Sequence, residues 1–255
     1  MDRASIEKRL KELKGHVGIY YKNLVTGDTF DYQGQDEFEA ASLPKLALLL
    51  EVLKLAHEGC FSLTDKIEVL ESQKVGGCGA LKSFPGDVYV EIETLCRLMI
   101  TISDNTATNA LLRLVGFERL RTDMQAMGLE STRFERLYFD DEAEARGLSN
   151  YVCPEEIGML LTQIYNREFC CEEVSAHAEE ILLLQQIRHK IPGYIGRSKK
   201  IANKTGEDNG VTHDGAIVFS KKPFVLVICS ERTDVPQTER FIREVALELY
   251  QENNE

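Results

Sequence analysis

The strand-forming segments of this sequence lie at its two ends, and the helix-forming segments lie between them. His16 to Lys22 (H-V-G-I-Y-Y-K) is β-rich, the Thr26-Gly27-Asp28 cluster is a turn, and Thr29 to Tyr32 can pair back to make a hairpin. In the last quarter Lys200 to Thr205, His213 to Phe219 and Phe224 to Ser230 are short β-type runs, with Lys221-Lys222-Pro223 turning between the latter two. The compact solution joins both sets of strands in one sheet, which forces the chain between them to leave and return. The expected fold is α/β (α+β), an antiparallel sheet flanked by N- and C-terminal helices with an all-helical lobe inserted. We expect a single unit over residues 1–255, with a sheet lobe of 1–41 and 191–255 and a helical lobe of 42–190.

The helices announce themselves by period and stop signals. Ser5 to Leu13 is amphipathic, and Thr238 to Tyr250 closes the chain. Leu46 to Leu55 is apolar almost all round, the mark of a helix buried on every side, and Gly59 stops it. Further helical runs are Glu91 to Ile100, Thr106 to Val115, Phe117 to Met127, Pro154 to Tyr165 and Cys171 to Ile187. No internal repeat, low-complexity tract or Pro/Gly/Ser-rich linker interrupts them.

Charge and composition remove several function classes. Lys and Arg number 30 against 42 Asp and Glu, a net charge of -12 that argues against nucleic acid or an anionic membrane surface as partner. The longest apolar run, Leu43 to Leu53, is broken by Lys45 and Glu51, so no membrane-spanning helix is expected. Met1 to Gly15 holds no apolar leader core, which implies a cytoplasmic protein, or an exported one whose leader has been removed. The 7 cysteines are odd in number and lack C-x-x-C, which fits reduced thiols rather than a disulfide framework. The 5 histidines are scattered without H-E-x-x-H, so a metal enzyme is not expected.

Three short motifs then occur in order: Ser42-Leu43-Pro44-Lys45 (S-x-x-K), Ser103-Asp104-Asn105 (S-D-N) and Lys204-Thr205-Gly206 (K-T-G). S-x-x-K alone is weak, and Ser5-Ile6-Glu7-Lys8 is a second copy on a charged helix. Ser42, however, opens the most hydrophobic helix, with Pro44 in its first turn, where a missing N–H does no harm. Positions three apart on a helix are neighbours, so the Lys45 amine can reach the Ser42 hydroxyl. Burial disfavours the ammonium and makes a neutral amine base available. S-D-N falls between two helices, and K-T-G ends a strand.

On these residues the chain resembles the class A β-lactamase and penicillin-binding serine-hydrolase family, whose signature is the three motifs together. The resemblance extends over nearly the whole chain, including Ser103 to Leu112 (S-D-N-T-A-T-N-A-L-L) and Thr132 to Arg136 (T-R-F-E-R). It implies a β-lactamase/transpeptidase-like fold and a serine hydrolase that opens the β-lactam amide through an acyl-enzyme, with a small acyl substrate as partner and no call for a cofactor. Carried over, Ser42 is the nucleophile, Lys45 its base, and Ser103 the proton relay to the leaving nitrogen. Asn105 holds the substrate amide, Lys204, Thr205 and Gly206 bind the substrate, and the Ser42 and Glu207 backbone N–H groups form the oxyanion hole. His213 is either a further group for the substrate carboxylate or an ordinary strand histidine, and Asp214 either orients it or begins a strand. Gly76 to Gly79 reads as a flexible rim of the cleft.

The pattern breaks at deacylation. The family's lactamases carry R-x-E-x-x-L-N, with the glutamate activating water. Here Arg136 is followed two residues later by Tyr138, and Asn150 stands where the family has an aspartate partner for the arginine. Asp140, Asp141 and Glu142 are the acids that could replace the glutamate, unless they only form a solvated loop. The alternatives to efficient turnover are a penicillin-binding D-Ala-D-Ala peptidase or esterase, or a sensor that captures β-lactams or peptidoglycan fragments.

Overall fold

A computed structural model of the protein describes residues 2–196 and 198–255. In chain order the elements are α1 (Arg3–Glu12), β1 (His16–Asn23), β2 (Thr29–Tyr32), β3 (Phe38–Glu39), α2 (Lys45–His57), β4 (Lys66–Val69), β5 (Val88–Glu91), α3 (Ile92–Thr101), α4 (Asn105–Val115) and α5 (Phe117–Ala126). They continue with α6 (Asp141–Ala145), β6 (Tyr151–Val152), α7 (Pro154–Asn166), α8 (Glu172–Leu183), α9 (Ile191–Ile195), β7 (Ile201–Asp208), β8 (Val211–Val218), β9 (Phe224–Glu231) and α10 (Val235–Glu252).

The terminal strands share one antiparallel sheet in the order β2-β1-β9-β8-β7. The two ends of the chain meet where β1 runs beside β9, from His16 opposite Glu231 to Asn23 opposite Phe224. Successive residues of a strand face opposite sides, and here both sides are covered. Phe224, Leu226 and Ile228 of β9 pack with Ile6 of α1 and Phe241, Ile242 and Val245 of α10. Val225, Val227 and Cys229 pack with α2 and the helices around it on the other face. Inside that second layer every residue of α2 from Lys45 to Leu53 is buried, as its all-round hydrophobicity requires.

Two details differ from expectation. The segment between the sheet strands is not all helical: β4 and β5 pair antiparallel, with Lys66 opposite Glu91 and Val69 opposite Val88. Most of their side chains are exposed or only partly buried, so little alternating signal is written into the sequence. The helix expected over Cys171 to Ile187 ends at Leu183, where the chain turns so that the Gln185 amide reaches the carbonyls of Ile100 and Asn203. Among the described residues no helix is long and apolar enough to cross a membrane.

Candidate active site

Ser42 lies in a tight turn three residues before α2, not inside the helix. Leu43 N–H donates to the Ala40 carbonyl at 3.2 Å and Lys45 N–H to that of Ser42 at 3.4 Å, and α2 begins at Lys45. The Ser42 N–H finds no acceptor among the described residues, which leaves it free for a ligand. Gly206 of β7 packs against this turn: a Cβ there would lie 3.2 Å from Leu43 N and 3.2 Å from Ala41 Cβ. A side chain at 206 would therefore push the strand and the Ser42 turn apart.

Ser103 occupies the loop before α4 in the left-handed region, with φ of 59°, a strained conformation for serine. Its hydroxyl oxygen is 3.2 Å from Lys45 Nζ and 3.1 Å from Lys204 Nζ, so one oxygen bridges both amines. Lys45 Nζ also donates to the Ser103 carbonyl at 2.9 Å and to Asn105 Oδ1 at 2.8 Å. Asp104 caps α4 by accepting from Ala107 N–H, and its other oxygen accepts the N–H groups of Ala80 and Leu81. The acid of S-D-N thus fastens the glycine-rich rim to the site. Asn105 completes the attachment, its N–H donating to the Cys78 carbonyl and its amide to that of Gly76.

Both lysines are fully buried, and burial drives both amines down from the usual lysine range. Lys204 falls to about 7, with the nearby Lys190 charge adding to the effect. Lys45 is pushed well down, its second cause being the charge on Lys204. A lysine held this way supplies a neutral amine near physiological pH.

Some expected contacts are absent. Lys45 makes no hydrogen bond to Ser42; its amine is turned to Ser103 and Asn105 and lies 4.4 Å from the centre of the Tyr138 ring. His213 is not available to a substrate carboxylate, because both ring nitrogens are used inside the fold. Nδ1 accepts from Ser230 N–H at 3.0 Å, which puts the proton on Nε2 for its 2.7 Å bond to the Glu39 carbonyl. Asp214 faces elsewhere too, accepting from Asn203 Nδ2 and Ile191 N–H. Asp140 is consumed as the cap of α6, accepting from Ala143 N–H, while Asp141 and Glu142 are exposed.

The loop from Arg136 to Asn150 is built differently from the family pattern. Asn150 holds its neck, accepting the N–H groups of Glu135 and Arg136 and donating to the Arg136 carbonyl. Arg136 pairs instead with Glu144 of α6 at 3.2 Å. Tyr138 is pinned to α4 by two bonds with Asn109, and its hydroxyl donates to the Ala41 carbonyl at 2.7 Å. Burial raises the Tyr138 pKa, so the phenol stays neutral and is no base. Beside it a cavity of about 470 Å³ is lined by Ala41, Arg136, Asp141 and Asp208 among others.

Lys190 lies outside every motif, and the motif position of Tyr138 gives no hint of its contacts. Lys190 is fully buried behind β7 and lies 3.2 Å from Glu207. Nothing in the run Arg188-His189-Lys190-Ile191-Pro192 marks it as a site residue. His189, Glu207 and Glu239 also gather one donor atom each within 4.8 Å. Lys190 and Arg243 already compensate these carboxylates, Arg243 lying 3.5 Å from Glu239.

Comparison with known proteins follows the same lines. The family model described as "Beta-lactamase enzyme family" matches residues 3–253. Beta-lactamase CARB-3 of Pseudomonas aeruginosa is 24% identical over 238 residues, covering 89% of this chain and 81% of that protein. The β-lactamase of Sphaerobacter thermophilus DSM 20745 superposes with a TM-score of 0.90 at 24% identity, covering 99% of this chain and 98% of that one. PBP-A superposes with a TM-score of 0.89 at 26% identity over 98% of this chain and 94% of its own, and a mutant of it is known as an acyl-enzyme complex with penicillin G. A match that runs from α1 to α10, on a chain whose three motifs meet at one serine hydroxyl, places this protein in the beta-lactamase enzyme family.

Proposed function

We propose that Ser42 is acylated by β-lactams and that the resulting ester is hydrolysed slowly. The chain is a serine hydrolase of the β-lactamase and penicillin-binding type, and the observation that carries the site assignment is the Ser103 hydroxyl bridging Lys45 and Lys204. Neutral Lys45 takes the Ser42 proton as the oxygen attacks the lactam carbonyl. The oxyanion is received by the free Ser42 N–H and the Glu207 N–H. As the C–N bond breaks, Ser103 gives its proton to the leaving nitrogen and recovers one from the Lys45 ammonium. Asn105 and Lys204 orient the substrate's amide and carboxylate.

Deacylation lacks a positioned base, a loss that commonly costs about 10²–10⁴-fold. Tyr138, hydrogen-bonded to the Ala41 carbonyl and with its ring against the Lys45 amine, is the residue found where the family's motif has its glutamate. This favours the second reading, a penicillin-binding protein or sensor, over a fast lactamase. Incubation with benzylpenicillin and a chromogenic cephalosporin, followed by intact mass and absorbance, tests both. A mass adduct on Ser42 that outlasts the absorbance change supports slow turnover. Ser42→Ala is expected to abolish adduct and absorbance change alike, and survival of either removes Ser42 as nucleophile.

A further inference from the structure

Lys190 sits with no exposed surface in the segment between α8 and α9. Its ammonium donates to the Gly206 carbonyl at 2.9 Å and to the His213 carbonyl at 3.0 Å, and it pairs with Glu207 Oε1 at 3.2 Å. Gly206 of β7 stands opposite His213 of β8, and β7 is the border strand of the sheet. The described chain contains no cis peptide, and in a trans peptide the carbonyl and the following N–H point opposite ways. With the Gly206 carbonyl turned to β8 and Lys190, the Glu207 N–H faces the free edge, beside the Ser42 turn that Gly206 touches.

We propose that Lys190 is a positioning residue for acylation, orienting and polarising the one peptide that carries the Glu207 N–H. The inference rests on the acylation reading above. A cation on the carbonyl oxygen draws density from the amide nitrogen and makes its N–H a stronger donor, as in any hydrogen-bonded chain. A donor already fixed in place needs no reorganisation when charge develops on the substrate oxygen.

The test is the carbonyl stretch of the penicilloyl ester on Ser42, read by isotope-edited infrared difference spectroscopy, together with acylation kinetics. In Lys190→Met the band should move to higher wavenumber and the acylation rate constant should fall roughly 10-fold, less than the ~10²–10³ of deleting an oxyanion donor outright. The noncovalent dissociation constant should stay within about 2-fold, since the donor acts mainly on the transition state. If Lys190→Met does not fold, Lys190→Gln keeps a neutral donor and should give an intermediate band. A folded variant with the wild-type band and rate constant overturns this inference alone. A wild-type protein that forms no adduct overturns the acylation reading and this inference with it.

Discussion

Two buried groups at the site make opposite statements about pH. Lys204 is held down to about 7, chiefly by burial. If its charged form receives the substrate carboxylate, the second-order acylation constant, which reports the free enzyme, should fall as pH rises through about 7. Lys204→Arg keeps a charge that no accessible pH removes, so the alkaline limb should vanish even if the rate is lower. A limb that persists in the arginine variant assigns it to another group. His213 is held down from 6.5 to about 4 by burial, so the native state excludes its proton. Its contribution is complete above pH 6.5 and is lost as pH falls towards about 4, a change of about 3 kcal/mol at most. His213→Gln should flatten the urea-unfolding stability between those pH values while leaving substrate affinity unchanged. A large affinity loss would restore the carboxylate-binding role that its geometry denies.

At the scale of elements, α2 carries both the candidate base and a built-in weakness. Its first residue is Lys45, and two turns on, Glu51 is fully buried against α5. Glu51 Oε2 lies 3.3 Å from Lys54, whereas no donor meets its other oxygen and the neighbouring acid is Asp123, to which a protonated Glu51 donates. Burial raises this carboxyl to about 7, with the neighbouring Asp123 reinforcing the shift. The folded chain therefore holds a proton that the unfolded chain releases. Stability attributable to this group is intact below pH 4.5 and declines as pH climbs to about 7. Glu51→Gln keeps a donor for Asp123 and removes the titration. Its melting temperature should exceed the wild type's at pH 8 and match it near pH 5. An equal gain at both values would point to packing rather than to a buried charge.

The architecture of the whole molecule was largely legible because its strongest signals are local and redundant. The β runs at both ends, the all-apolar α2 and the three motifs each point to one arrangement. What escaped depends on which face of the sheet a residue meets. All eight residues of β8 are buried, so alternation could not say whether His213 faces the cleft or the interior. Lys190 and the Tyr138 ring owe their places to contacts over long stretches of chain, which no spacing encodes. The same two-sided sheet governs how the molecule should unfold. Neighbouring strand residues belong to different cores: Tyr20 packs with the α2 layer, and Tyr21 packs with α10. Neither layer can leave without stripping the sheet that the other needs, so the protein should unfold as one cooperative unit. Fluorotyrosine resonances at Tyr20 and Tyr21 read each face separately. They should disappear at the same urea concentration as the far-ultraviolet circular dichroism. If the Tyr21 signal goes first, α1 and α10 form a layer that separates from the sheet before the α2 layer melts.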